Sequence, residues 1–348
     1  MATTIAGTSG AQQPAAHRWA IVLHGGAGVI ERATMSAESE KAYRASMTRA
    51  AEAGTQVLDK GGSSLDAVEA AITILEDDPL FNAGRGADFA ADGRNELDAA
   101  IMDGSNMKAG AVGDVTRTRH PISLARAVME KSPHVFLVGH GADEFSVYAG
   151  LEQVDPSYFF TERRWQALVK ELNKEGMPIP LRPAGSPPPP ADPVSEIDVA
   201  PTEPADAHKY GTVGVVALDR AGNLAAGTST GGTNAKRWGR VGDSPIIGAG
   251  TYASNQSCAV SATGTGEYFI RLTVARTVCA LVEYKGMKLQ DAVDQVIRKE
   301  LTGMHGDGGV IAIAPNGDMA WSFNTPGMYR AKQAEGSKLE IGIYNDEP

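Results

Sequence analysis

The sequence predicts an α+β fold in which two sheets lie between two layers of helices. Three observations carry this reading. Helical stretches flank apolar, strand-like runs in both halves of the chain. The run "TVGVVALD" (212–219) is apolar on both faces, as a strand inside a sandwich must be. "GGVIAIAPNGDMAWSF" (308–323) is a second apolar hairpin pattern, with Asn316-Gly317 at its turn.

Taken in order, "WAIVLHGGAGVI" (19–30) reads as a short buried strand entering a glycine turn. Helix formers fill 36–60, and Gly61-Gly62 closes them as a C-cap does. "SSLDAVEAAITILEDD" (63–78) predicts a second helix, with Ser63 or Ser64 as N-cap and Leu65, Val68, Ala71, Ile72 and Leu75 on one face. The stretch "PLFNAGRGADFAADGRNELDAAIMDG" (79–104) reads as a glycine-broken loop. A helix at 121–131, an apolar strand in "HVFLVG" and a helix at 161–175 follow.

From 178 to about 209 the composition changes. Ten of the 19 prolines fall at 178, 180, 183, 187, 188, 189, 190, 193, 201 and 204. Asp192, Glu196, Asp198, Glu203 and Asp206 have no basic residue among them. Such a tract buries too little apolar surface to offset its ordering entropy, so a flexible linker is expected. Beyond it "TVGVVALD" and "LAAGTST" form a hairpin signal. With a three-residue loop, Asp219 faces Asn223 and Thr230 lies directly across from Thr212 on the same face; a two-residue loop would turn Thr230 away. Residues 265–300 read as helical.

Composition bounds the function. The net charge of −10 and pI of about 5.3 argue against a nucleic acid or an anionic membrane as partner, since both require a basic face. No apolar run approaches the roughly 18–20 residues that span a bilayer. Residues 1–18 lack the basic start and apolar centre of a signal peptide and read as a disordered leader, so a cytoplasmic protein is expected. The only cysteines, Cys258 and Cys279, make neither a disulfide framework nor a zinc pattern.

Elimination narrows the chemistry. The seven histidines show no HxxxH or HExxH spacing. "HGGAG" is too short for a dinucleotide fingerprint, "GTSTGGTNAK" lacks the Gly-Lys-Ser/Thr of a P-loop, and no Gly-x-Ser-x-Gly elbow occurs. What remains are hydroxyl-bearing glycine turns after the acidic tract: "TSTGG" (228–232), "GRVGDSP" (239–245) and "SATGTGE" (261–267). Singly, each is ordinary turn chemistry. Together with the Gly211-Thr212 junction they point to a catalytic threonine.

A threonine hydroxyl needs a base beside it. If the Gly211–Thr212 bond is cut, Thr212 gains an α-amine with a pKa near roughly 8, and one residue then supplies nucleophile and base. Thr263 and Gly264 are the type of donors an oxyanion hole uses. Arg240 suits a carboxylate and Asp243 an ammonium, which together describe an α-amino acid head group.

At these residues the chain resembles the plant-type L-asparaginase/isoaspartyl aminopeptidases of the N-terminal-nucleophile hydrolases. "HGGAG", "PLFNAGRGA", "ELDAAIMDG", "AGAV", "PHVFLVG", "GTVGVVALD", "GNLAAGTSTGG", "GRVGDSP", "GAGTYA", "TGTGE" and "NTPGMYR" carry the resemblance over nearly all of 19–345. It implies an αββα sandwich cut autocatalytically before the threonine into subunits 19–211 and 212–348, within one structural domain, and assembled as a dimer of αβ heterodimers. It implies hydrolysis of L-asparagine and β-aspartyl dipeptides through an acyl-threonine. Thr212 would be the nucleophile, Thr230 its hydroxyl partner, Arg240 and Asp243 the substrate clamp, Thr263 and Gly264 the oxyanion hole, and Asn82 an aid to maturation. No catalytic cofactor is implied. A structural sodium would be held by backbone carbonyls of Leu75, Glu76, Asp78, Phe81, Ala83 and Arg85.

"TNAKRW" (233–238) departs from the family's usual wording beside the clamp, which leaves substrate preference open. Two other readings are weighed. A glycosylasparaginase-like amidase would typically carry Asp before the threonine and Thr-Asn-Gly at the second one, where this chain has Gly211 and "TGG". An uncleaved, non-catalytic homologue would have no need of Thr212, Thr230, Arg240, Asp243 and Thr263 together.

Overall fold

The computed structural model describes residues 18–189 and 211–347; nearly all of the expected leader and the 190–209 part of the expected linker lie outside them. In chain order the elements are β1 (Ala20–Gly28), α1 (Ala37–Asp59), α2 (Ser64–Asp77), β2 (Leu97–Asp103), β3 (Ala109–Val115), α3 (Pro121–Lys131), β4 (Phe136–Val138), α4 (Gly139–Tyr148) and α5 (Glu162–Lys174). After Gly211 come β5 (Val213–Leu218), β6 (Leu224–Thr230), β7 (Thr251–Ala253), β8 (Ala259–Gly264), α6 (Gly266–Leu272), α7 (Val274–Lys285), α8 (Leu289–Asp294), β9 (Gly308–Ile313), β10 (Met319–Phe323), β11 (Gly327–Ala334) and β12 (Glu340–Tyr344).

These strands form two sheets, one ordered β12-β11-β1-β5-β6-β2-β3-β4 and one ordered β10-β9-β8-β7. Period-two alternation on the central strands fixes the layering. Ile21, Leu23, Val213 and Val215 point into a core shared with Met47, Val68, Ile72 and Ile122 of α1, α2 and α3. Ala20, Val22, Val216 and Leu218 point the other way, into a core shared with Val260, Ile311, Val278 and Val293. The result is the αββα sandwich. A smaller core of Phe89, Phe160, Trp165, Leu168, Leu172 and Ala235 sits under α5.

The helix boundaries follow their capping chemistry. Ser36 accepts from the Ser39 amide at the start of α1, and Ser63 accepts from the Asp66 amide at the start of α2. Gly61, at φ +80°, ends α1 in the left-handed region where only glycine is unstrained. α3 and α5 fall within a residue of their expected limits. Residues 178–189 of the proline-rich tract hold neither helix nor strand, and Arg182 forks onto Glu162 at 2.6 and 2.7 Å, tying this part to α5.

Several expectations are corrected. β1 runs through "HGGAG" instead of ending before it, with a bulge between His24 and Ala27. The end of the expected loop at 79–104 is a strand, β2, pairing with β6 and β3. Its Ala99 and Ala100 are weak strand formers, but burial between layers decides the matter. Thr263 and Gly264 close strand β8, paired with Gly309 and Gly308, and do not lie in a free turn. The 265–300 helix is broken at Thr273 (φ +46°) and Gly286 (φ +62°), and Gln295–Leu301 is π-helical. β4 is an edge strand with exposed Phe136 and Val138. Cys258 and Cys279 form a disulfide across buried positions, with Cα atoms 5.3 Å apart. A separation of 21 residues in sequence says nothing about that proximity, which β8 packing on α7 creates. Among the described residues, no helix is long and apolar enough to cross a membrane.

Candidate active site

The β5–β6 hairpin sets the site. The Asp219 amide donates to the Asn223 carbonyl at 3.0 Å, and Gly222 takes φ +84°, so the loop has three residues. Val213 therefore pairs with Ser229. One step further along, the Thr212 hydroxyl donates to Thr230 Oγ1 at 3.1 Å. The same oxygen accepts from the Gly232 amide at 3.0 Å.

Asn82 clamps the residue before Thr212 to the turn after Thr230. Its amide donates to the Gly211 carbonyl at 3.1 Å, and its carbonyl accepts from the Gly231 amide at 3.0 Å. Its side chain donates to the Gly232 carbonyl at 2.7 Å and accepts from the Asp88 amide at 2.7 Å. A Cβ at Gly211 would stand 2.5 Å from Asn82 Cβ, so only glycine fits there.

Behind Thr212 lies a wholly buried polar chain that the sequence reading did not single out. His24 Nδ1 is 3.1 Å from the Thr212 carbonyl, and its Nε2 is 3.0 Å from Ser261 Oγ. A carbonyl can only accept, so Nδ1 carries the proton and Nε2 accepts from Ser261. Thr228 then donates to Ser261 at 2.7 Å, and Thr251 donates to Thr228 at 2.6 Å. Burial lowers the His24 pKa to about 3, opposed by the bond to Thr212, so the ring is neutral at ordinary pH.

Arg240 and Asp243 stand on the opposite wall. Burial pushes the Asp243 carboxyl up to about 7, with the Arg240 charge pulling it back. Its Oδ2 is buried with no hydrogen-bond partner in the protein, an arrangement suited to a ligand cation. Arg240 turns its Nε and Nη2 to Glu267, at 3.0 and 3.1 Å. Thr212, Thr230, Gly232, Arg240, Asp243 and Gly264 line a cavity of about 10 Å³, scarcely one water. Thr263 is buried one residue behind Gly264, its hydroxyl accepting from the Ala27 amide at 3.4 Å.

Residues Leu75–Arg85 form a separate feature at the end of α2. Pro79 has no N–H to offer the Leu75 carbonyl, while the Glu76 carbonyl accepts from the Arg85 amide at 2.7 Å. The Glu76 carboxylate is taken up by Ser229 at 2.6 Å, the Ile122 amide at 3.0 Å and His120 at 3.3 Å, and burial raises its pKa. Among the described residues, no cluster of three or more His, Cys, Asp or Glu suits a metal ion.

His24, Ser261 and Glu267 were the residues missed. "HGGAG" offered a signal, but its histidine was weighed only for phosphate and metal chemistry. Glu267 closes the "TGTGE" motif and lies in the first turn of the helical stretch that follows.

The family described as Asparaginase matches residues 17–343 of this chain. An isoaspartyl peptidase of Escherichia coli is 46% identical over 327 residues, covering 94% of this chain and 96% of that protein. A probable isoaspartyl peptidase/L-asparaginase 2 of Arabidopsis thaliana is 43% identical, covering 94% and 99%. A human isoaspartyl peptidase/L-asparaginase is 39% identical, covering 94% and 96%.

Proposed function

We propose, from the premise that this chain belongs to the asparaginase family, that it is a self-cleaving threonine hydrolase acting on L-asparagine and β-aspartyl dipeptides. The observation that carries the reading is the Thr212–Thr230 hydroxyl pair in one cavity with Arg240 and Asp243.

Maturation begins when Thr212 Oγ1 attacks the Gly211 carbonyl carbon. The carbonyl oxygen, already held by the Asn82 amide, takes up the developing negative charge. The hydroxyl proton passes to the peptide nitrogen as the C–N bond breaks, leaving an ester and a free α-amine at Thr212, and water hydrolyses the ester. In turnover the α-amine takes the proton from Thr212 Oγ1 as the oxygen attacks the substrate's β-carbonyl carbon. Thr230, whose own hydroxyl can then donate to Thr212 Oγ1, holds that oxygen in line. Thr263 and Gly264 support the oxyanion, Arg240 takes the substrate α-carboxylate in exchange for Glu267, and Asp243 takes the ammonium. The proton passes to the departing ammonia or amino acid, and water releases L-aspartate. No catalytic cofactor enters.

A structural sodium on the carbonyls of Leu75, Glu76, Asp78, Phe81, Ala83 and Arg85 is part of the same proposal. The Leu75 carbonyl, to which Pro79 offers no N–H, supports it. Such an ion would brace the loop that delivers Asn82. We place the enzyme in the cytoplasm, a compartment in which the Cys258–Cys279 bond is unusual. The assembly is a dimer of αβ heterodimers. Exposed Val135, Phe136, Val138, Val147 and Tyr148 around edge strand β4 support self-association.

Mass spectrometry of purified protein should show two fragments meeting at Gly211/Thr212, with asparagine and β-aspartyl-leucine both hydrolysed. Thr212→Ala should abolish both cleavage and turnover. A lasting intact chain without activity, or cleavage persisting in that variant, overturns the mechanism.

A further inference from the structure

The turn between the two clamp motifs holds a large aromatic in an unusual place. The Arg240 amide donates to the Arg237 carbonyl at 3.0 Å, with Trp238 at φ +57° and Gly239 at φ +68° between them. Two central residues at positive φ are what a type I′ turn requires, and asparagine followed by glycine is the usual filling. A tryptophan there is strained, and it gains nothing from burial, being 96% exposed. Strain held at an exposed position beside a substrate clamp is a reason to look for a ligand.

The turn is firmly placed. Ala235 is fixed in the small core under α5, the Ala91 amide donates to the Lys236 carbonyl at 2.8 Å, and Arg237 pairs with Glu175. The Arg237 guanidinium lies 5.9 Å from the centre of the Trp238 ring. Beneath them runs a groove of about 410 Å³, lined among others by Met177, Lys236, Arg237 and Trp238.

This groove adjoins the catalytic cavity. Gly232, whose amide bonds Thr230 Oγ1, lines the cavity, and its Cβ position is 3.0 Å from Lys236 Nζ, which lines the groove. Thr233, the next residue toward the turn, lines the cavity as well, and Arg240 Nη1 is 3.5 Å from the Gly232 Cβ position, so the head-group clamp and the turn meet on this side of the cavity.

From this we propose that Trp238 and Arg237 form a subsite for the amino acid released from β-aspartyl dipeptides. The Trp238 ring and Met177 would take an apolar or aromatic side chain, and Arg237 its carboxylate. This rests on the hydrolase reading above and adds a preference to it: dipeptides with a large apolar second residue are favoured over asparagine, whose leaving ammonia does not reach the groove.

The test is kcat/KM on L-asparagine, β-aspartyl-phenylalanine and β-aspartyl-phenylalanine amide, for wild type, Trp238→Asn and Arg237→Gln. Asparagine suits positive φ, so Trp238→Asn keeps the turn. It should lower kcat/KM for both phenylalanine substrates about five- to tenfold, through KM, the size expected of one aromatic contact. Asparagine hydrolysis should stay within about twofold, since that substrate makes no such contact. Arg237→Gln should weaken only the substrate with the free carboxylate. Equal losses on all substrates, or none, overturn the subsite while leaving the hydrolase reading intact. Wild-type protein inert toward all three overturns both.

Discussion

The Nδ1 atom of His24 lies 3.1 Å from the carbonyl oxygen of Thr212, on the chain's own side of the nucleophile and away from the substrate. The contact fixes the Thr212 backbone and, through Ser261, Thr228 and Thr251, joins it to the loop that carries Asp243. His24 is thus a positioning residue. His24→Ala should lower kcat by about 100-fold, the usual cost of a small misplacement, with KM little changed. His24→Asn can keep the donor to the carbonyl and should recover much of the rate. A pH–rate profile unmoved in shape by either variant would agree with a histidine that never titrates during turnover.

The depressed His24 pKa also bears on stability. An unfolded histidine takes up a proton near pH 6.5, whereas the folded one resists until about 3. The unfolded state therefore binds the extra proton between those values, and stability falls as pH drops through that window. Thermal midpoints measured from pH 7 to 4.5 should fall more steeply for wild type than for His24→Asn. Parallel curves would refute this contribution.

Gly211 has a steric role that can be tested apart from catalysis. A Cβ there would meet Asn82 Cβ at 2.5 Å, forcing apart the amide–carbonyl contact that holds the scissile peptide. Gly211→Ala should slow formation of the two fragments by at least about tenfold, since one donor to a developing oxyanion is worth that or more. The fraction that does mature starts at the same Thr212 and should turn over asparagine at the wild-type rate per active site. Densitometry of denaturing gels over time, paired with active-site titration, checks both statements.

The fold was legible where periodicity and punctuation agree. Gly61-Gly62 closes α1 and Ser63 opens α2, and Asn223 facing Asp219 fixes the hairpin register that brings Thr230 to Thr212. Legibility failed where small residues do the work of large ones. Ala99 and Ala100 in β2, and the glycines of "HGGAG" in β1, form strands because layers on both sides bury them, which no local propensity records. The nucleophile could be inferred because a cut before a threonine leaves a distinctive chemistry. His24 could not, because its task depends on β1 and β5 being neighbours in one sheet with β8 facing them from the other, 188 residues from Thr212 in sequence and 237 from Ser261.

The Cys258–Cys279 bond gives a fourth prediction. It closes a loop of 21 residues joining the start of β8 to α7, and such a cross-link stabilises a domain by about 3 kcal/mol. Alkylating the unreduced, denatured protein should label no thiol, and reduction should expose two. Cys279→Ser should lower the thermal midpoint while leaving KM for asparagine unchanged, because neither sulfur borders the catalytic cavity. Two labelled thiols without reduction would show the pair to be open.

Asp243 makes the binding step pH-sensitive. Burial holds its carboxyl up to about 7, so near neutral pH the group is divided between its acid and its anion. Only the anion pairs with a substrate ammonium, so KM for asparagine should rise as pH falls below 7 and level off above about 8, a unit past the midpoint. The α-amine of Thr212 must be neutral to accept the nucleophile's proton, so kcat should rise with pH around a separate ionisation near roughly 8. Both effects lift kcat/KM with pH, but they divide between its two components. Substrate ammonium binding favours the Asp243 anion, so the ionisation seen in the free enzyme should shift downward in the complex. Measuring kcat and KM separately from pH 5.5 to 9 decides the assignment. A KM flat across that range would mean that Asp243 is already ionised throughout and that burial does not govern it.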